Sequence, residues 1–243
     1  MNPYLLTERL KTNRLFVRKA SIYISLISAI IIFILSTNYL YVHLFSWWYT
    51  IVIPIITSYT CNLLSNIDKN KHSNLKPLPI DLSKIWFAKI RIGSTYLLYS
   101  CSILIAVFLC FKFIIGDNYP NISYHKGIGF GIILYICSLW QMPLFLFIAY
   151  NTNLFYTLLT GILFNTIIGT IVASTNYWFL YPCSYLSKLG LYILNINPSG
   201  LFEKDIDISD YFIEISSCII ISIALFVLLS RQTSKWYMKR EVL

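Results

Sequence analysis

Charge is what this sequence has least of. Only 12% of its 243 residues are Asp, Glu, Lys or Arg and 57% are hydrophobic, whereas soluble domains run to about 25% charged. No polar block is large enough to enclose a core, so a separate soluble domain is excluded and the chain reads as one integral membrane domain. Histidine is nearly as scarce, and His43, His72 and His125 all fall at the edges of apolar runs or in polar connections. No HExxH, no facing pair of intramembrane carboxylates and no serine with a nearby base can be assembled. The chain therefore reads as a non-enzyme, with a membrane peptidase only a distant alternative. It has no Walker A sequence through which to use ATP. The ring or relay of intramembrane charge typical of channels and ion-coupled carriers is missing too. Cys61, Cys101, Cys110, Cys137, Cys183 and Cys218 stand singly, without CxxC or a histidine at ligand spacing. They read as small buried hydrophobes, not as a disulfide framework or metal site.

Apolar runs fill most of the remainder. A span needs roughly 20 predominantly apolar residues, and the sequence predicts an all-α membrane protein with six, over residues 20–42, 47–65, 92–115, 127–149, 154–174 and 215–230. The last is short and is expected to extend at each end. The basic start followed by an apolar run has the outline of a signal peptide, but the run is too long and lacks a small-residue cleavage site, so it reads as a retained first span. His43 to Trp48 is expected to turn the chain, with Trp47, Trp48 and Tyr49 as an interfacial aromatic belt and Pro54 kinking the second span. Gly127 and Gly131 let a neighbouring helix approach closely. They form no phosphate loop, because they lead straight into a hydrophobic run with no following Lys-Ser or Lys-Thr. Asn165, near the middle of the fifth span, reads as an interhelical hydrogen-bonding residue, with a place on a substrate path as the sharper alternative.

Two stretches break the apolar pattern. Residues 66–91 carry Lys69, Lys71, Lys76, Lys84, Lys89 and Arg91 against Asp68 and Asp81. Pro77 and Pro79 fix an extended lead-in, Asp81 can cap a helix, and Leu82, Ile85, Trp86 and Lys89 recur at helical spacing. A short amphipathic helix that lies flat and exposes Leu78, Leu82 and Trp86 is therefore expected. It suits docking by a cytoplasmic partner, or rest on lipid headgroups with Trp86 as interfacial anchor. Residues 175–214 are greasy at first but interrupted by Pro182, Lys188, Gly190 and Pro198, which favours short re-entrant or interfacial helices. Their second half gathers Glu203, Asp205, Asp207, Asp210 and Glu214 against Lys204. These acids suit attraction of a cationic peptide, or simply a solvated loop.

With six spans, fifteen of the nineteen Lys and Arg share one side with both termini and the 66–91 loop. The positive-inside rule puts that side in the cytoplasm and the 175–214 segment outside. The net charge of +9 thus reports orientation; nucleic acid is not an expected partner. What remains is a carrier of bulky or amphipathic cargo that takes its energy from elsewhere.

Five stretches carry a family resemblance. LKTNRLFVRKA (Leu10 to Ala20), LKPLPIDLSKIWFAKI (Leu75 to Ile90), WQMPLFLF (Trp140 to Phe147), the segment from Trp178 to Gly200 and KWYMKREV (Lys235 to Val242) together resemble the permease subunits of lantibiotic-immunity ABC transporters. These are the E and G types of the ABC-2 exporter class, and the G type is nearer. The resemblance implies a plasma-membrane subunit of a Gram-positive bacterium that pairs with a second homologous permease. Two copies of a separate ATPase would use ATP and Mg, while this chain binds no cofactor. The substrate it implies is a cationic lantibiotic-type peptide, exported for self-immunity. Its coupling segment corresponds to Pro77 to Trp86, which makes Leu78, Pro79, Asp81, Leu82 and Trp86 the expected ATPase contacts and Glu203, Asp205, Asp207 and Asp210 candidate peptide-attracting acids. The connection at 150–153 carries no basic residue and departs from that layout. A non-transporting scaffold or sensor subunit is the alternative.

Overall fold

A proline removes a hydrogen-bond donor and crowds the carbonyl four residues back, and in this chain two of the long helical runs deform beside a proline. The computed structural model describes residues 3–13, 17–36, 39–69, 81–116, 122–203 and 208–242. Among them the chain is all-helical. α1 (Pro3–Asn13) and α2 (Val17–Leu35) come first. α3 (Leu40–Trp47) runs through a π turn (Trp48–Val52) into α4 (Ile53–Lys69). α5 (Leu82–Ile115), α6 (Tyr124–Ser138) and α7 (Gln141–Asn151) follow, and α8 (Leu154–Ile162) runs through a second π turn (Leu163–Ile168) into α9 (Gly169–Ala173). Two 3-10 turns, Trp178–Leu180 and Pro182–Ser184, lead to α10 (Tyr185–Leu194), and a third, Ile208–Tyr211, to α11 (Phe212–Val242).

Four runs are long and apolar enough to cross a membrane: Leu40–Ile67, Leu82–Ile115, Leu154–Ala173 and Ile208–Arg240. A fifth is added if α6 and α7, bent by 45° at their junction, form one span; Lys19–Leu35 is a shorter apolar helix. The burial of these runs sets the architecture. Of the most apolar stretch of Leu40–Ile67, 72% is buried, against 17% for Ile208–Arg240, so α3–α4 is the centre of the bundle and α11 a peripheral helix. α4 packs against α5, α7 and α8, while α11 lies across α5, α6 and α7. α4 also carries the polar residues of the interior, Thr57, Ser58, Thr60, Asn62 and Ser65, all buried. Thr57 and Thr60 donate back to the carbonyls of Ile53 and Ile56, which keeps their hydroxyls bonded where water is excluded.

Pro54 cannot donate to the Thr50 carbonyl one turn earlier. The helix widens into the π turn just before it, and Thr166, in the facing π turn, donates its hydroxyl to that carbonyl. Pro143 has the same effect on the fourth apolar run. The helix breaks at Leu139–Trp140, which leaves Pro143 in the first turn of α7, where a missing N–H costs little. Just beyond the break, the buried Gln141 donates to Asn165 Oδ1 (2.8 Å), and Asn165 donates to Gly161 O (3.0 Å). Asn165 therefore makes the interhelical bond expected of it. Close approach is also visible at the glycines. A Cβ on Gly127 or Gly131 would fall 2.4 Å from Phe108 or 2.6 Å from Ile105 of α5, and one on Gly161 2.3 Å from Ser58 Oγ.

Several expectations are corrected. The turn placed at His43–Trp48 is helical; α2 ends at Leu35 and α3 begins at Leu40. Nothing between residues 43 and 48 breaks a helix. Trp48 and Tyr49 are not an interfacial belt but are buried in the core, where Tyr49 meets Phe130 edge-on. The short flat helix of the 66–91 stretch is instead the first part of the continuous α5. The last helix extends beyond 215–230 at both ends, as expected, and further at its C-terminal end. The interrupted segment after residue 175 does form short helices, as expected: 3-10 turns and the ten-residue α10.

Candidate functional site

The end of the bundle that carries α1 and the C-terminal turns of α11, here the proximal end, holds the described part of the expected coupling segment. Leu78 and Pro79 lie outside the described residues. Asp81 caps α5, its carboxylate accepting from the backbone N–H of Ser83 (3.1 Å) and Lys84 (3.4 Å), as a short acidic side chain does at a helix start. It also pairs with the Lys84 ammonium at 3.0 Å, both side chains remaining exposed. The Lys84 hydrogen bond holds the Asp81 carboxyl below its usual pKa. Tyr4 of α1 joins this end, its hydroxyl accepting from Asp81 N (3.5 Å) and its ring lying 5.7 Å from the Lys84 ammonium. Leu82 is half-buried.

Trp86 does not sit where the sequence suggested. It is 0% exposed, because the stripe it shares with Ile85 and Lys89 faces the bundle instead of a membrane surface. Its indole N–H donates to Thr233 Oγ1 (2.9 Å), and its ring stacks on Tyr237 at 4.8 Å and meets Tyr150 at 5.4 Å and Trp236 at 6.1 Å. Lys89, one turn on, is also 0% exposed. Its ammonium donates to Leu64 O (3.0 Å) and to the Tyr150 hydroxyl (3.2 Å). Arg240 closes the arrangement, donating to Asn151 Oδ1 (3.1 Å) with its guanidinium 5.3 Å from the Trp236 ring. The start of α5 is thereby clasped to the ends of α4, α7 and α11. An exposed tryptophan cannot be its docking element; among the described residues the first two turns of α5 and its cap offer outward Asp81, Lys84 and Phe87, which is 42% exposed.

At the distal end, the expected acids are only partly placed. Asp205 and Asp207 lie outside the described residues; Glu203 and Asp210 are exposed and Glu214 is half-buried. Glu203 is held by Asn197, which donates to its Oε2 at 3.2 Å, and by a backbone bond to Asn195 O at 2.8 Å. Sequence reasoning missed the aromatic ground beside them. Lys188 places its ammonium 5.9 Å from the Trp178 ring and 5.5 Å from the Tyr192 ring, while Tyr192 stacks on Tyr211 at 4.1 Å. Burial lowers the Lys188 pKa and the charge of Glu203 opposes that shift. The only hint of this grouping in the sequence was a lone lysine in a greasy, tyrosine-rich stretch.

Neither end forms a catalytic arrangement among the described residues. The proximal end can transmit force between helices and present charge; the distal end can hold a cation against aromatic faces. Comparison of the chain with models of known protein families, with characterised proteins and with solved structures gives no match.

Proposed function

We propose that this chain is the membrane-spanning permease subunit of an ABC exporter of the lantibiotic-immunity kind, and that it expels a cationic, amphipathic peptide from the membrane to the medium. Energy comes from a separate ATPase, bound in two copies, and a second homologous permease completes the pathway. In this reading α2 and the bent α6–α7 pair cross together with the four longer runs, and both termini lie on the basic, cytoplasmic side of the plasma membrane. The observation that supports this most directly is the proximal end of α5. A charged, exposed helix start (Asp81, Lys84) continues without a break into a clasp with α4, α7 and α11, so a partner bound there has purchase on most of the bundle. The motif order from Leu10 to Val242 adds the family.

The mechanism follows from that placement. The nucleotide cycle of the partner displaces the start of α5, the clasp carries the displacement into the bundle, and the packing around α3–α4 changes to release peptide at the distal side. The test is a pull-down of the chain from its native membranes, followed by ATP turnover with and without added cationic peptide. Co-purification of an ATPase that peptide stimulates is expected. Charge reversal at Lys84→Glu, which leaves the buried clasp intact, should weaken that co-purification. Stable isolation with no nucleotide-dependent partner would instead mark the chain as a scaffold or sensor. Labelling of Lys84 from the exterior alone would overturn the orientation and the mechanism with it.

A further inference from the structure

The distal aromatic group is organised more firmly than a solvated loop needs to be. Trp178 sits in a 3-10 turn fixed to the start of α10 by two bonds, Ser184 Oγ donating to Trp178 O (2.7 Å) and the Tyr185 hydroxyl to Phe179 O (2.7 Å). Tyr192 stands one helical turn beyond Lys188, edge-on to Trp178 at 6.1 Å, and its other side is covered by Tyr211 from the turn before α11. The faces of two rings thus look onto one position. Such a setting attracts an ammonium or guanidinium group. It already contains one, the Lys188 ammonium, which lies near the outer limit of a favourable ring contact, and among the described residues no hydrogen bond holds it. Beside it the chain exposes Tyr177, Phe179 and Leu180, an apolar surface next to a cation site.

We propose that Trp178 and Tyr192 form a receptor for a basic side chain of an incoming amphipathic peptide, and that Lys188 is a built-in occupant which the peptide displaces. The apolar side of the peptide lies along Tyr177, Phe179 and Leu180 while its cation takes the place of the Lys188 ammonium over the two rings. The choice of a peptide as ligand rests on the exporter reading above; the cation chemistry does not. Lys188 occupies the ring faces when no peptide is present. Peptides without a basic group have nothing to exchange for it.

The experiment uses the full chain in phosphatidylcholine nanodiscs and a fluorescent Lys- and Leu-rich amphipathic peptide, with its Gln-for-Lys counterpart as control. Lys188→Ala vacates the site and is expected to tighten binding of the basic peptide about three-fold, the scale of one half-exposed cation–ring contact. Adding Trp178→Leu should abolish that gain, and the control peptide should respond to neither change. On the unsubstituted chain, reductive 13C-methylation of lysine gives a direct readout. The Lys188 resonance, identified by its loss in Lys188→Arg, should be shifted upfield by the two rings and should move to the solvent position as peptide is added. A resonance that stays in place at saturating peptide, or a Lys188→Ala chain that binds no more tightly, overturns the receptor. Neither readout involves nucleotide. Failure here alongside peptide-stimulated ATP turnover removes the receptor alone, and peptide exchange without any ATPase partner removes the exporter alone.

Discussion

Lys89 and Lys188 stand at opposite ends of the bundle, each over tyrosine and close to tryptophan, and they differ in how they are closed in. Lys89 is fully buried, with its ammonium bonded to Leu64 O and the Tyr150 hydroxyl. Lys188 is half-buried and lies against ring faces. A buried charge must be hydrogen-bonded to be tolerated, so Lys89 is committed to the fold. A cation held by rings at a boundary loses little when another cation replaces it. Similar side chains therefore make a fastening at one end and an exchangeable contact at the other.

The largest test of that contrast is Trp86→Ala. Emptying a fully buried tryptophan site should cost about 3–5 kcal/mol, read as a fall in the unfolding midpoint in detergent, while Trp178→Ala, at a half-buried position, should cost clearly less. Equal losses would erase the distinction between the ends. Next is Gly161→Ala between them. Its Cβ would press on Ser58 Oγ and the Pro54 carbonyl, so separation of α8 from α4 should cost about 1–3 kcal/mol; an unchanged midpoint would mean the centre is loosely packed. Thr233→Val leaves the buried Trp86 N–H without its acceptor and should cost about 1–3 kcal/mol, whereas Lys188→Ala should stay within about 0.5 kcal/mol of the parent. Smallest is Asp81→Asn, which keeps a capping oxygen but removes the charge. Because the folded carboxyl is held below its usual pKa, its contribution is present above the unfolded value near 4 and is lost as pH falls through the lower folded value. The protection of the Ser83 and Lys84 amides, taken relative to intrinsic exchange at each pH, should fall at acid pH in the parent and show no such dependence in Asp81→Asn.

How much of this was legible in the sequence differs between the same two ends. The apolar runs, the Asp81 cap, the close helix approach at Gly127 and Gly131 and the bonding role of Asn165 follow from spacing and residue type, because each acts within one helix or on its nearest neighbour. Trp86 was misjudged because helical periodicity shows which residues share a face and not what that face meets. Its partners Thr233 and Tyr237 lie about 150 residues away, and no local pattern links them. The break between α2 and α3 was misplaced because aromatic residues beside a polar one look alike at a membrane boundary and in a core. The Trp178–Lys188–Tyr192 grouping depends on two 3-10 turns whose geometry no periodicity announces.

The length of α5 has a consequence of its own. Its 34 residues make a rod about 50 Å long, well beyond the roughly 30 Å thickness of a bilayer's hydrocarbon layer. The near tip bears Asp81 and Lys84, and close to the far tip the buried Lys112 is bonded to the Ile122 carbonyl. A tilt of about five degrees about one tip swings the other by about 4 Å, a step on the scale of a side chain. Motion of that kind needs no bending hinge within the helix, only a rod fastened near one end, and the clasp around Trp86 and Lys89 is such a fastening.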